Sequence, residues 1–134
     1  MKNKKIIIGL VGSGKTTLYR KINEEQKAYA VEIELPQSCR YDEKLKKKLF
    51  KCFYKNKNID IIISHPYYLP CDFVKLLSKE DQIEFLEVSL EERKERIIQR
   101  SKNIKSECKI FDENFIKEEE EYFKILKKQI KEKF

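Results

Sequence analysis

The sequence predicts an α/β fold in which a short parallel sheet of about four strands lies between layers of helices. Runs typical of β-strands recur at residues 6–8, 28–35, 59–64 and 83–88, and the second alternates apolar residues with Glu32 and Glu34, as a strand at a sheet edge or at the mouth of a cleft does. Each run precedes a stretch whose apolar residues repeat with helical spacing. The run at 59–64 is almost continuously apolar, as expected for a parallel strand buried on both faces. A length of 134 residues, 40% of them hydrophobic, predicts a single domain with one core.

The most specific motif lies between the first predicted strand and a helix predicted over Lys15 to Glu25. Residues 9–16 read Gly-Leu-Val-Gly-Ser-Gly-Lys-Thr and fit the spacing G-x-x-x-x-G-K-[ST] at every fixed position. Such a loop curls so that successive backbone N–H groups point at phosphate oxygens, and glycine leaves room for that approach. The chain has three glycines, and all of them lie in this motif. The motif predicts a nucleotide site.

Each residue of the motif has a predicted part in holding ATP and Mg²⁺. Lys15 is placed to meet the β- and γ-phosphates, and the Thr16 hydroxyl to ligate magnesium. Thr17 can add a donor to the α-phosphate, and the following helix presents its positive end to the anion. The backbone cradle consists of Gly9, Gly12, Ser13 and Gly14. In its motif and in its order of strand, loop and helix the chain resembles P-loop NTPases, and this resemblance implies a three-layer P-loop NTPase fold.

The central predicted strand ends in Ser64-His65-Pro66, where many P-loop proteins carry an acidic residue that holds magnesium or water. That task falls to Ser64, to His65 or to a carboxylate from elsewhere. His65, the single histidine, lies at the carboxyl edge of the sheet and is either a general base for an acceptor hydroxyl or a hydrogen-bonded loop residue. Glu32 and Glu34 on the second strand could reach a substrate or a metal-bound water, or could be solvated edge charges.

Ser89 begins a helix with an S-x-x-E capping box, and three arginines of that helix share one face. They are Arg93, Arg96 and Arg100. Arginine here can neutralise charge that develops on a transferring phosphoryl group, or it can belong to an exposed salt-bridged surface. The polar stretch 101–108 predicts a mobile lid.

Three further segments receive predictions that bear on the site. The helix beginning after Asp42 is predicted to bury Leu45, Leu49, Cys52 and Phe53 and to expose its lysine run 46–48. The loop 67–70 either covers a ring substrate or packs internally. Asp112 is predicted to cap a last helix, in which the four glutamates at 118–121 are expected to lie on the solvated surface.

The chain resembles a small P-loop kinase of the nucleoside and nucleotide kinase superfamily. Residues 9–16 and the segment 85–100 carry the resemblance, which is closest to the phage-type polynucleotide 5′-hydroxyl kinase domain. It implies transfer of the γ-phosphoryl of ATP to a nucleoside, nucleotide or polynucleotide 5′-hydroxyl. It also implies that Arg96 or Arg100 is a lid arginine and that His65 takes the place of an aspartate base.

Composition limits the remaining possibilities. The net charge of +7 suits a polyanionic partner such as a nucleic-acid end, although lysine is spread along the whole chain. The four cysteines show no C-x-x-C pair and are expected to be reduced thiols. No apolar run is long enough to cross a bilayer, so a cytoplasmic protein is expected. The oligomeric state is not readable from the sequence.

The sequence argues against two other classes of nucleotide-binding protein. A regulatory GTPase needs a D-x-x-G glycine outside the first loop, and the sequence has none. A large mechanical ATPase is excluded by the length and by the missing acidic pair after the central strand. A nucleotide-binding module without catalysis stays open, because the Ser64-His65 ending weakens magnesium handling.

Overall fold

The computed structural model describes residues 3–39, 41–103 and 113–134 and contains a sheet of four parallel strands. The strands are β1 (Lys5–Gly9), β2 (Ala30–Ile33), β3 (Ile61–Ser64) and β4 (Gln82–Leu86). They lie in the order β2-β3-β1-β4, so β1 and β3 are central and β2 is at an edge, as its alternating sequence indicates. The predicted α/β class with a parallel sheet is confirmed.

Five helices connect and flank these strands in the described ranges. They are α1 (Lys15–Glu25), α2 (Glu43–Lys55), α3 (Phe73–Leu76), α4 (Leu90–Asn103) and α5 (Glu113–Lys133), with single 3-10 turns at Gln37–Cys39 and Pro66–Tyr68. The first helix has the predicted bounds, and α2 begins after its predicted cap, because the Asp42 carboxylate accepts the Leu45 N–H at 3.1 Å. Among these helices none is both long and apolar enough to cross a bilayer.

The core lies on both faces of the sheet, and β1 contributes to each face because side chains alternate along a strand. Ile6 and Ile8 belong to the larger cluster, which includes residues of α2, α3 and α5. Ile7 belongs to the smaller cluster, against which one face of α1 packs. That face consists of Leu18, Tyr19 and Ile22, as its spacing predicts. The arrangement is helices on both sides of a buried sheet.

The buried face of α2 differs from the predicted one. Phe50 is fully buried and stacks on Tyr54, whereas Cys52 and Leu45 are exposed. Lys46, expected to be solvated, is 5% exposed. Its ammonium group donates to the Tyr67 carbonyl at 3.1 Å and lies 2.7 Å from a Glu43 carboxylate oxygen. A buried lysine is tolerated where such partners replace water, and hydropathy spacing does not register them.

Several predicted features fall at the limits of the described ranges. The backbone of residues 101–103 continues α4, and the rest of the predicted lid lies outside the described residues, as does Asp112. Cys39, Cys52 and Cys71 are free thiols, while Cys108 is outside those residues.

Candidate nucleotide-binding site

The loop between β1 and α1 has a backbone that requires its glycines. Gly12 and Gly14 have φ values of +79° and +92°, in the left-handed region that other residues rarely adopt. Gly9 is needed for a different reason, because a Cβ there would lie 2.4 Å from Ser13 Oγ and 2.9 Å from Lys15 Cγ. The sequence motif therefore corresponds to a tightly curled loop at the carboxyl end of a central strand.

Ser13 supplies the clearest sign that this loop is built for a ligand. Its side chain is buried, with the residue 7% exposed, and its hydroxyl oxygen has no hydrogen-bond partner among the described residues. A buried hydroxyl without a partner costs free energy, and native proteins rarely leave one so. α1 begins beside it with Gly14 as N-cap and without a side-chain cap, so its first N–H groups have no partner within the helix. These donors fit an anionic ligand.

The side chains of Lys15 and Thr16 each make a hydrogen bond to a protein group at the loop. The Lys15 ammonium group donates to the Leu10 carbonyl of the same loop at 2.9 Å. The Thr16 hydroxyl donates to Glu32 Oε1 at 3.1 Å. Thr17 is exposed. Both lysine and threonine are thus held at the loop by contacts that include a hydrogen bond a ligand could exchange.

Of the two glutamates weighed on the second strand, the structure brings Glu32 to the site. Glu32 lies opposite Ile63 in the β2–β3 register, and its carboxylate reaches Thr16. Glu34 is exposed one residue beyond the strand. A hydroxyl and a carboxylate are the oxygen ligands that Mg²⁺ takes, with phosphates and waters completing its shell. The pair Thr16 and Glu32 fits that ion, and no cluster of three or more metal-ligating side chains occurs in the described ranges.

His65 is buried, and both of its ring nitrogens contact protein groups. Nδ1 accepts the Tyr67 N–H at 3.0 Å, so Nε2 carries the proton and donates it to Glu119 Oε2. Burial lowers the pKa of His65 despite the nearby Glu119, and the charges of Lys15 and Arg93 lower it further. A base would need a nitrogen free to receive a proton. This geometry favours the hydrogen-bonded loop histidine of the two alternatives.

Glu119, expected to lie on the solvated surface, is fully buried beside the loop, and the prediction for it is wrong. Its Oε2 accepts the Val11 N–H at 3.3 Å as well as the His65 proton, and its Oε1 lies 2.6 Å from Arg93 Nη2. Sequence spacing carried a signal for this burial. Glu119 falls three residues after the buried Ile116 and four before the buried Phe123, on the core side of α5.

Two arginines of α4 donate hydrogen bonds to carbonyl groups of the loop between β1 and α1. Arg93, 1% exposed, donates from Nε to the Val11 carbonyl at 2.8 Å and also contacts Glu120. Arg96 donates to the Gly12 carbonyl at 3.0 Å and pairs with Glu92 at 2.9 Å, while its side chain stays 42% exposed. Two of the three arginines on this helix face therefore contact the loop. Arg100 continues the same helix, and its side chain is outside the described residues.

The aromatic loop after β3 packs internally. The Tyr67 ring lies with its centroid 4.9 Å from that of His65, 5.8 Å from that of Phe115 and 5.4 Å from that of Tyr122. Of the two alternatives for this loop, the structure therefore favours packing, and the packing braces His65 from one side.

A comparison with solved structures found a kinase whose fold is similar to that of this chain. The unliganded crystal structure of a sugar kinase from Janibacter sp. HTCC2649 is similar, with a TM-score of 0.54 and 16% sequence identity. The similarity covers 89% of this chain and 76% of that chain. Comparisons with protein-family models and with curated proteins found no match. At such low identity the likeness shows the fold alone, which is a kinase-like α/β fold.

Proposed function

We propose that the protein is a P-loop phosphotransferase that moves the γ-phosphoryl group of ATP to an acceptor hydroxyl of a nucleoside, a nucleotide or a polynucleotide 5′ end. The observation that carries the proposal is the loop at 10–14, where a buried Ser13 hydroxyl, which has no partner in the ranges 3–39, 41–103 and 113–134, adjoins the start of α1 without a side-chain cap. Hydrogen-bond donors at a glycine-rich loop and at a helix N-terminus bind the oxygen atoms of a polyphosphate. The kinase-like fold of the structural neighbour supports the same class of reaction.

The residues on the loop divide the task of holding the donor. Lys15 exchanges the Leu10 carbonyl for phosphate oxygens, and the Ser13 hydroxyl gains the acceptor that it lacks. Thr16 and Glu32 would hold Mg²⁺, which when bound neutralises phosphate charge and orients the donor. Arg96 is exposed enough to leave Glu92 and meet the transferring group, and Arg100 remains a second candidate for that part.

In the proposed reaction the acceptor oxygen forms a bond to the γ-phosphorus while the bond from that phosphorus to the bridging oxygen breaks. The electron pair of the broken bond leaves with ADP, and the acceptor proton passes to water or to a phosphoryl oxygen. A loose transition state of this kind depends on orientation and charge stabilisation more than on a strong base. His65 accordingly acts by bracing the loop through Glu119 and not by taking the proton.

A screen with γ-labelled ATP tests the proposal. Nucleosides, monophosphates, 5′-hydroxyl oligonucleotides and simple sugars are offered as acceptors, with parent protein and Lys15→Ala in parallel and Lys21→Ala as a matched control on the exposed side of α1. Label transfer to an acceptor is expected, reduced at least ~100-fold by Lys15→Ala and unaffected by the control. Transfer that persists in Lys15→Ala would contradict the proposal.

A second function, ATP binding without catalysis, has its own supporting observation. β3 ends in Ser64 without an acidic residue, and both His65 nitrogens are engaged by protein groups. Under this alternative ATP binds with an affinity that depends on Lys15, but no acceptor becomes labelled. Calorimetric titration of ATP with and without Mg²⁺, run beside the label screen, separates the two functions.

A further inference from the structure

The excess positive charge of the protein is concentrated on one helix. The chain has a formal net charge of +7, and α2 carries six lysines against one glutamate. α5 has the same number of lysines, balanced by six glutamates, so it is neutral as a helix. Lysines therefore occur throughout the chain, but lysines whose charge is not balanced by glutamates of the same helix are concentrated on α2.

Four lysines of α2 form a line on its outer side, which we call the α2 stripe. The spacing of four, three and four residues puts them within a narrow angular sector over ~16 Å of helix. The members of the stripe are Lys44, Lys48, Lys51 and Lys55. They lie on the side opposite Phe50, which is fully buried in the core. Within the described ranges no ion pair involves any of the four, whereas Lys46 pairs with Glu43 and Lys47 with Asp72.

The stripe is held in place by contacts from the first turn of α2. Glu43 accepts the Cys71 N–H at 3.0 Å, and the Lys47 ammonium lies 3.0 Å from the Asp72 carboxylate. Partial burial of Glu43 acts to raise its pKa, but the hydrogen bonds from Lys46 and Cys71 outweigh it and lower that pKa to about 2. The helix is thus fastened on its inner side and presents charge on its outer side.

We propose that the α2 stripe binds the phosphodiester backbone of a nucleic acid. A phosphodiester backbone carries one negative charge on each nucleotide, so a line of four lysines over ~16 Å of helix can face several phosphates of one strand at once. Tyr41, just before the helix cap, is 77% exposed and offers a ring on which a base can stack. The inference goes beyond the proposed function and does not require that the bound nucleic acid be the phosphoryl acceptor.

An anionic membrane surface is the competing partner, and the placement of the apolar residues argues against it. A helix that lies in a membrane interface exposes an apolar face beside its basic face. The apolar side of α2 is committed to the core, where Phe50 contacts the rings of Tyr54 and Phe73. Little apolar surface remains on this helix to enter a bilayer.

Two quadruple variants with equal charge loss test the stripe. In the first, Lys44, Lys48, Lys51 and Lys55 are replaced by Gln; in the second, Gln replaces the exposed α5 residues Lys117, Lys124, Lys128 and Lys131. Binding of a fluorescent 20-mer single strand is followed by anisotropy over a series of KCl concentrations. We expect the first variant to lose at least ~10-fold in affinity and to reduce the salt slope by about 3, and the second to stay within ~2-fold of the parent.

Each outcome decides the inference. Equal losses in both variants would mean that net charge alone drives binding, and no loss in the first variant would mean that the stripe is not the site; either result overturns the proposal. Binding of the parent to phosphatidylserine vesicles but not to oligonucleotide also overturns it. Circular dichroism of both variants checks folding. Lys15→Ala should keep oligonucleotide binding, so a failure of the kinase proposal is distinguishable from a failure of this one.

Discussion

The two sides of the loop between β1 and α1 are built in opposite ways. On the anchored side, Val11 is held between Arg93 and Glu119, and Glu119 also contacts His65. These three charged or titratable side chains are almost completely buried. On the open side, Lys15 and Thr16 each make a hydrogen bond that a ligand could exchange, and the Ser13 hydroxyl has no partner within the part of the chain that the structure describes. The first side fixes the loop, and the second leaves donors for a ligand.

The comparison separates the buried charged groups, which stabilise the folded protein, from the exposed charged groups, which stay accessible to a ligand. Buried ions are tolerated only when each has partners, and removal of one partner leaves an expensive unpaired charge. Exposed or half-exposed groups contribute little to stability, because water screens them and replaces their partners. Substitutions on the anchored side should therefore act first on folding, and substitutions on the open side on ligand binding and turnover.

Glu119→Ala is expected to have the largest effect on stability. It leaves the His65 N–H without its carboxylate and the buried Arg93 guanidinium with Glu120 as its remaining carboxylate, which should cost about 3–5 kcal/mol in the free energy of unfolding. Urea unfolding of the variant and of Glu118→Ala, an exposed neighbour in the same helix, measures the difference. A loss for Glu119→Ala as small as that of its neighbour would mean that the anchored side does not stabilise the fold.

Arg93 and Arg96 sharpen the comparison within one helix, because both donate to loop carbonyls. Arg93→Ala should destabilise the protein by about 3 kcal/mol or more, since two carboxylates lose a buried partner. Arg96→Ala should change unfolding by less than about 1 kcal/mol yet lower kcat by ~100-fold. Urea unfolding and steady-state kinetics on both variants check this. The reverse ordering would refute the assignment of the two arginines.

Glu32→Gln removes a negative charge on the open side while it keeps the size and shape of the side chain. The amide can still accept the Thr16 hydroxyl, but it no longer attracts a cation. The Mg²⁺ concentration for half-maximal ATP turnover should rise by about 10-fold, with little change in unfolding. Glu34→Gln serves as the control and should leave that concentration unchanged. If both variants shift it equally, Glu32 has no special relation to the metal.

The smallest expected effect is a pH dependence of stability from His65. Its pKa is lowered in the folded protein from the ordinary 6.5, chiefly by burial, so the unfolded chain binds the proton more readily. Stability from the neutral ring is then complete above pH 6.5 and is lost as pH falls below it, by at most ~1.4 kcal/mol per pH unit. Unfolding free energies at pH 7.5 and 5.5 should differ more in the parent than in His65→Gln. Equal differences would show that the imidazole stays uncoupled from folding.

The open side could be predicted from the sequence far better than the anchored side. The motif at 9–16 is local, so its spacing predicted the loop, and the bounds of α1 follow from the same stretch. The choice between Glu32 and Glu34 depended on the strand register, which a single sequence does not specify. Glu119 was mistaken for surface because its partners, Val11 and His65, are 108 and 54 residues away.

The same limit explains the error on α2. Hydropathy assigns a lysine to the outside, and the Tyr67 carbonyl together with the Glu43 carboxylate makes the inside acceptable for Lys46. Periodicity predicts that a helix is amphipathic. It does not predict which polar side chains find partners in the interior, so the buried face of α2 includes Lys46, which hydropathy places outside.

Amide chemical shifts during a titration with Mg²⁺ and a non-hydrolysable ATP analogue test the central claim most directly. We expect the largest shifts at Gly12, Ser13, Gly14, Lys15 and Thr16, with saturation, and much weaker binding in Lys15→Ala. Saturating shifts centred on residues remote from this loop, or no shifts at millimolar analogue, would contradict the assignment of the loop as the nucleotide site.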